Sequence, residues 1–172
     1  MSEAAEAAQT AENAALNARY ATSPHEAALF AAHLRRTPRA DKVQWLLNSA
    51  FHNHATLVRL LLADGLSPRT THPERGNQSL LHVAAQSGAI DVVRLLLEAG
   101  AEANSFDTMG NTPLQAAITY SKLACTRELI PHTDLRSYGA DGNNVLHKSI
   151  IANQPEIFKL LLPHFADNID VR

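Results

Sequence analysis

The sequence is short of most features that carry chemistry on their own. It has one cysteine, Cys125, in 172 residues, so no internal disulfide can form and no thiolate cage for a metal can be built. A lone thiol fits a reducing compartment, and the expected location is the cytoplasm, with the nucleus as the alternative. Aromatic residues make up 5% of the chain, while Ala and Leu dominate. That composition disfavours strands rich in Val, Tyr and Phe and favours helices that pack closely through short side chains. No apolar run approaches the ~20 residues needed to cross a bilayer, so no membrane partner is expected. The formal net charge is -2, and no basic cluster is longer than Arg35-Arg36, which leaves nucleic acid without an electrostatic foothold. Glu3, Glu6 and Glu12 stand where a secretory signal would need basic residues. No H-E-x-x-H pair, phosphate-binding loop or nucleophile elbow occurs. There are nine histidines. His52 and His54, two apart across an expected helix end, are not expected to share a face. His25, His33, His72, His132 and His164 are scattered and read as solvated. The expectation is therefore no catalytic residue, no metal ligand and no cofactor.

What is present is a unit that recurs. Residues 79–101 read SLLHVAAQSGAIDVVRLLLEAGA, and the same grammar returns at Gln44, Thr112 and Asn144, so that successive units begin 35, 33 and 32 residues apart. A period near 33 marks stacked helical repeats. In each unit a short polar residue stands where a helix N-cap is wanted, and Pro113 occupies the first helical position, where its missing N–H does no harm. Leu46, Leu81, Leu114 and Leu146 follow. Then come the pairs Ser49-Ala50, Ala84-Ala85, Ala117-Ile118 and Ser149-Ile150, mostly small enough to let neighbouring helices approach. Gly88, Asn53 and Asn153 are placed to end the first helices through left-handed backbone. A second helix follows, clearest in the stripe Ile90, Val92, Val93, Leu96 and Leu97, and closes at Gly65 or Gly100. The leucine triplets at 60–62, 95–97 and 160–162 recur with the unit and read as core, as does Cys125, which aligns with Val92.

These units resemble ankyrin repeats. The second unit carries the likeness most fully, in Ser79-Leu80-Leu81-His82, Ala84-Ala85, Gly88, Leu96-Leu97, Gly100-Ala101 and Asn104. The third keeps Thr112-Pro113-Leu114 and the fourth Leu146-His147. The resemblance implies an all-α solenoid of helix-turn-helix units joined by extended, β-hairpin-like loops, with repeats at about 42–75, 76–109, 110–141 and 142–172. It also implies that His82 and His147 hydrogen-bond neighbouring turns. The first unit departs from the pattern, with Gln44-Trp45-Leu46-Leu47 and one extra residue in its following loop. In the third, Pro131 is expected to end the second helix early.

Two segments precede the repeats. Residues 1–22 are Ala- and Glu-rich and read as flexible or helical. Residues 23–41 read as a capping helix and linker: Ser23-Pro24-His25-Glu26 is a capping box, Leu29, Phe30 and Leu34 give an apolar face, and Arg35-Arg36-Thr37-Pro38 stops the helix. Half of a degenerate extra repeat is the alternative. The last helix, with Ile157, Phe158 and Leu160 to Leu162, has nothing after it to shield an open face. It reads either as a boundary within a longer protein or as a binding surface.

By resemblance, partners dock on a concave face built from loop tips and the ends of the first helices. The residues that this places there are Phe51, His52, Gln86, Thr119, Tyr120 and Ile151 on the helices, and Arg75, Phe106, Met109, Asn111, Tyr138 and Asp141 on the loops. Aromatic and methionine side chains on such a line suit interface anchors. The competing reading packs Phe51 and Ile151 against neighbouring helices and folds Phe106 and Tyr138 over their own loops. The leading functional expectation is a non-catalytic module that binds a protein partner and is monomeric alone. The alternatives are a regulatory domain of a larger enzyme or channel, an enzyme in its own right, and a nucleic-acid binder.

Overall fold

The computed structural model describes residues 23–168, together with the isolated helical positions Ala11, Ala15 and Ala18. The rest of the segment 1–22 lies outside the described residues. Helix α1 (Pro24–Leu34) is followed by four helix pairs. These are α2 (Arg39–Phe51) with α3 (Ala55–Ala63), α4 (Leu80–Ser87) with α5 (Ile90–Glu98), α6 (Pro113–Thr119) with α7 (Leu123–Leu129), and α8 (Val145–Ile151) with α9 (Pro155–Leu161). The first helices of successive pairs, α2, α4, α6 and α8, stack on one another, and the second helices α3, α5, α7 and α9 form a parallel outer row. The architecture is the expected all-α solenoid.

The repeating leucine and the small residues explain the stacking. Leu46, Leu81 and Leu114 are fully buried, as are Ala50, Ala84, Ala85 and Ala117. Helices of 7 to 9 residues, such as α4 to α9, are too short to hold themselves in water. Their stability comes from apolar faces shared with the next pair, about 1.5–3 kcal/mol for each large side chain removed from solvent.

Every turn between paired helices passes through one residue with left-handed backbone: Asn53 (φ 58°), Gly88 (φ 87°), Ser121 (φ 59°) and Asn153 (φ 51°). Three of these were legible as breakers. Ser121 was not, because serine carries no special tolerance for that region. The second helices α3 and α5 close through Gly65 and Gly100, both at positive φ. The α7 helix instead ends at Leu129 and tightens into a 3-10 turn, Ile130–His132, around Pro131.

The first unit corrects two expectations. Helix α2 starts at Arg39 behind Pro38, with no side-chain cap, so Gln44 is an exposed mid-helix residue and caps nothing. The expected boundary between residues 41 and 42 therefore falls inside α2. The preceding α1 is capped by Ser23, whose hydroxyl accepts the Glu26 N–H at 3.4 Å. It lies over the first pair with Leu34 fully buried, and Trp45 stacks against Phe30 (6.0 Å) and His33 (6.3 Å).

Between pairs the chain makes finger-like loops. The first has a short antiparallel ladder, β1 (Thr71–His72) with β2 (Gln78–Ser79). Its extra length is taken up by a 3-10 turn at Pro73–Arg75 and by consecutive left-handed residues, Gly76 and Asn77. The later fingers close with Asp107 N–H to Asn111 O (3.0 Å) and Gly139 N–H to Asn143 O (2.9 Å). They also stack: Thr108 N–H bonds Gly76 O at 2.8 Å. At Gly110 an added Cβ would stand 2.5 Å from the Ala140 backbone nitrogen.

Candidate partner-binding surface

The surface is held in place by a relay of polar side chains at the starts of the first helices. Ser79, Thr112 and Asn144 each cap a helix and form a full capping box with the residue three places on. In α4 that residue is His82, whose Nδ1 accepts the Ser79 N–H at 3.2 Å. This leaves Nε2 to carry the proton, and it donates to Asn111 O in the next finger at 2.8 Å. His82 is fully buried; burial pushes its pKa down, opposed by the Asn111 carbonyl and by Asp107, and the ring works as a neutral bridge. Gln115 does the same for the next unit: it accepts the Thr112 N–H at 3.0 Å and donates to Asn143 O at 3.1 Å. His147 repeats the near half of the bridge, accepting the Asn144 N–H at 3.3 Å. It is exposed, and its Nε2 has no acceptor among the described residues. The expected link to a neighbouring turn is thus present at His82; at His147 only the near half is formed among the described residues.

The apolar residues singled out from sequence are in the open. Phe51 is 40% exposed, Phe106 52%, Met109 70%, Tyr120 51%, Tyr138 61% and Ile151 69%. Among the described residues no ring contact joins Phe106, Tyr120 and Tyr138, and Phe51 meets His52 edge-on at 5.0 Å. Arg75 and Thr119 are exposed and Gln86 is half-buried. Asp141 is exposed and pairs with Lys148; hydrogen bonds from Lys148, then Asn143, hold its pKa down at about 2.

Asn111 is half-buried and belongs to the scaffold: its N–H bonds Asp107 Oδ1 at 2.8 Å and its carbonyl receives His82. His52 and His54 also depart from expectation, since their rings stack at 5.9 Å. The left-handed turn at Asn53 folds the chain back and brings the two flanking side chains to one side. His54 is buried, and burial, then the neighbouring His52, lowers its pKa. His72, read as solvated, is half-buried with its Nδ1 enclosed. Cys125 is core as expected: it is fully buried, and burial pushes its thiol up to about 11, which leaves it unreactive.

Two expectations are corrected: Leu29, placed on the apolar face of α1, is 59% exposed, and Ile150, placed in a helix-contact pair, is 62% exposed. Ile150 aligns with the fully buried Ala85 and Ile118 and would read as core in any interior unit. Among the described residues no helix pair lies over it as α6 lies over Ala85 and α8 over Ile118. Among the described residues no group of three or more His, Cys, Asp and Glu could hold a metal, and no helix is long and apolar enough to cross a membrane.

A stack of capped helix pairs, tied finger to helix by buried polar bridges, defines a helical repeat protein that presents side chains along one line. The particular repeat is the ankyrin repeat: family models described as "Ankyrin repeats (many copies)" and "Ankyrin repeats (3 copies)" match residues 61–117 and 101–172. The chain belongs to the ankyrin repeat family. It is similar to serine/threonine-protein kinase VIK of Arabidopsis thaliana, at 36% identity over 113 residues, covering 65% of this chain and 25% of the kinase. A putative ankyrin repeat protein of Rickettsia bellii is 31% identical over 121 residues, covering 57% of this chain and 51% of that protein. The Neurogenic locus Notch protein of Drosophila melanogaster is 35% identical over 94 residues, 54% of this chain and 3% of that protein. The chain thus spans about half the length of these relatives or far less.

Proposed function

We propose that the chain is a non-catalytic module that binds a protein partner across the exposed line Phe51, Tyr120 and Ile151 with the finger residues Phe106, Met109 and Tyr138. One observation carries this reading. In a chain with 5% aromatics, several of its large apolar side chains stand 40 to 70% exposed on this line, and they are unneeded by the core. Solvent-exposed aromatic and Met side chains on a rigid scaffold favour association, because little conformational freedom is lost when they are covered. Arg75, Gln86, Thr119 and Asp141 supply a polar rim, and His52 borders Phe51. The module works as an adaptor, an inhibitor or a targeting element in the cytoplasm or nucleus, without nucleic acid or a membrane, and is monomeric alone. A second reading, a regulatory domain of a larger enzyme, is favoured by the likeness to segments of a kinase and of the E3 ubiquitin-protein ligase KEG of Arabidopsis thaliana, of which the match covers 6%.

The test is affinity capture from the native host by the wild-type chain and by a Phe106→Ala/Tyr120→Ala/Tyr138→Ala variant, read by mass spectrometry. The variant should keep its helical circular dichroism and melt within about 5 °C of wild type, since surface changes cost within about 0.5 kcal/mol each. The specific partner should be lost. Equal capture by both chains would discard this surface.

A further inference from the structure

The chain has four Ser/Thr-Pro pairs, Ser23-Pro24, Thr37-Pro38, Ser67-Pro68 and Thr112-Pro113. Three of the four hydroxyls support the backbone beside them. Ser23 Oγ accepts the Glu26 N–H at 3.4 Å and caps α1. Ser67 Oγ accepts the Arg69 N–H at 3.1 Å, in a turn closed again by the Thr70 N–H and hydroxyl on Ser67 O. Thr112 is buried, and its Oγ1 accepts the Gln115 N–H at 3.3 Å. Thr37 differs. Its Oγ1 lies at the surface and only donates, to His33 O at 3.1 Å; it accepts no hydrogen bond among the described residues. Pro38 behind it is extended (φ -57°, ψ 145°), and a residue before proline is itself pushed out of helical backbone. Arg35, Arg36, Pro38 and Arg39 around it are exposed. None of these three arginine side chains has an ion pair or hydrogen bond among the described residues. The run Arg35 to Arg39 stops α1, and stopping a helix does not call for three unpaired cations.

We infer that Thr37 is a phosphorylation site for a proline-directed protein kinase using ATP, and that Arg35, Arg36 and Arg39 hold the phosphate once it is in place. The lone pairs of Thr37 Oγ1 are free to attack the γ-phosphorus of ATP. The Oγ1–P bond forms, the bond from that phosphorus to the β,γ-bridging oxygen breaks, ADP leaves, and the hydroxyl proton passes to the kinase's carboxylate base. Proline in the next position is tolerated by a kinase whose groove asks for no N–H there. Losing the hydroxyl proton strands no acceptor, because His33 O also receives the Arg36 N–H at 3.0 Å. The product carries a charge of about -2. All three arginines lie within two residues of it in sequence, and guanidinium groups bind phosphate through paired, charge-assisted hydrogen bonds. The carbonyls at the end of α1 oppose the phosphate with roughly half a negative charge, and Asp41, in the first turn of α2, adds a more distant one. Three full positive charges outweigh both, so the modification ties the α1–α2 elbow and does not open it.

The test incubates the full folded chain with MgATP and a purified proline-directed Ser/Thr kinase of the cyclin-dependent class, read by mass spectrometry of the intact chain and its peptides. Phosphate should appear on Thr37, with Ser23, Ser67 and Thr112 left unmodified. Thr37→Ala should lose the phosphate and keep its helical circular dichroism, since it removes one surface hydroxyl. Phosphorus NMR of the modified chain then reads the clamp. The second ionisation of the phosphate should fall clearly below its ordinary value of about 6. In an Arg35→Gln/Arg36→Gln variant it should return toward that value. Amide exchange in α1 should be slower in the phosphorylated chain than in the unmodified one. No phosphate on Thr37, or phosphate placed on Ser23 or Ser67 in preference, overturns the site. An ordinary second ionisation, or faster α1 exchange, overturns the clamp.

Discussion

Leu114 and Leu146 hold the same place in neighbouring units, two residues after the helix cap and inside the capping box, and their surroundings differ by a single layer. Leu114 has α4 on one side and α8 on the other and is fully buried; Leu146 has only the inner side and remains half-covered. In a solenoid each unit contacts its neighbours alone, so a residue's worth is set by how many neighbours it has and not by its place in the unit. The largest expected effect follows. Leu114→Ala should destabilise by about 3–4 kcal/mol, through lost transfer energy and the cavity left between two layers. Leu146→Ala should cost about 1 kcal/mol, because solvent or local relaxation fills the outer side. Chemical unfolding of both variants at pH 7 measures this, and equal losses would mean that the fourth unit is covered in solution.

A smaller effect separates His82 from Gln115, which perform the same bridge with different chemistry. The folded-state pKa of His82 is pushed below its ordinary value, so below about pH 6.5 the unfolded chain takes up a proton that the native chain resists. Stability contributed by the neutral bridge is therefore present above that range and is lost as the pH falls through it. His54, also lowered by burial, adds in the same direction. His82→Gln places the Gln115 solution in the second unit. The variant should match wild type within about 1 kcal/mol at pH 7.5, and its urea midpoint should fall less between pH 7.5 and pH 5. A parallel fall in both chains would assign the acid sensitivity to His54 or elsewhere.

How much of this was legible depended on whether a residue's role is local or borrowed. The caps at Ser79, Thr112 and Asn144 and the breakers Asn53, Gly88 and Asn153 were readable because their function is written in their own chemistry: a short side-chain oxygen, or tolerance of left-handed backbone. The solenoid was readable because the same grammar recurs. The exposure of Ile150 and the unbridged Nε2 of His147 were not readable as such, since both residues fit an interior unit and their state depends on what is packed over them, not on their own chemistry. Asn111 looked like a fingertip binder, yet its backbone carbonyl is what His82 needs. The start of α2 was hidden because the first unit has no capping residue; its helix runs back to Arg39 behind Pro38. The aromatic line emerged with the exposure expected of it, while what it binds is a property of another molecule.

The smallest effect lies in the turns. Asn53, Gly88 and Asn153 are residue types that enter left-handed backbone at little cost, whereas Ser121 holds φ 59° without that tolerance, at a cost of roughly 1 kcal/mol. Its compensation is the hydrogen bond its hydroxyl receives from Gln154, but both groups are close to solvent, where such a bond is worth about 0.5–1 kcal/mol. Two substitutions divide these contributions. Ser121→Ala keeps the strain and loses the bond, and should lower stability by about 0.5 kcal/mol. Ser121→Gly loses the bond and the strain, and gives the unfolded chain more freedom. It should come out neutral to about 0.5 kcal/mol less stable than wild type, and therefore level with or above Ser121→Ala. If Gly and Ala melt together, backbone strain at this turn is negligible and the Gln154 contact alone accounts for serine here; if Gly melts clearly higher, the third unit carries a cost that its neighbours avoid.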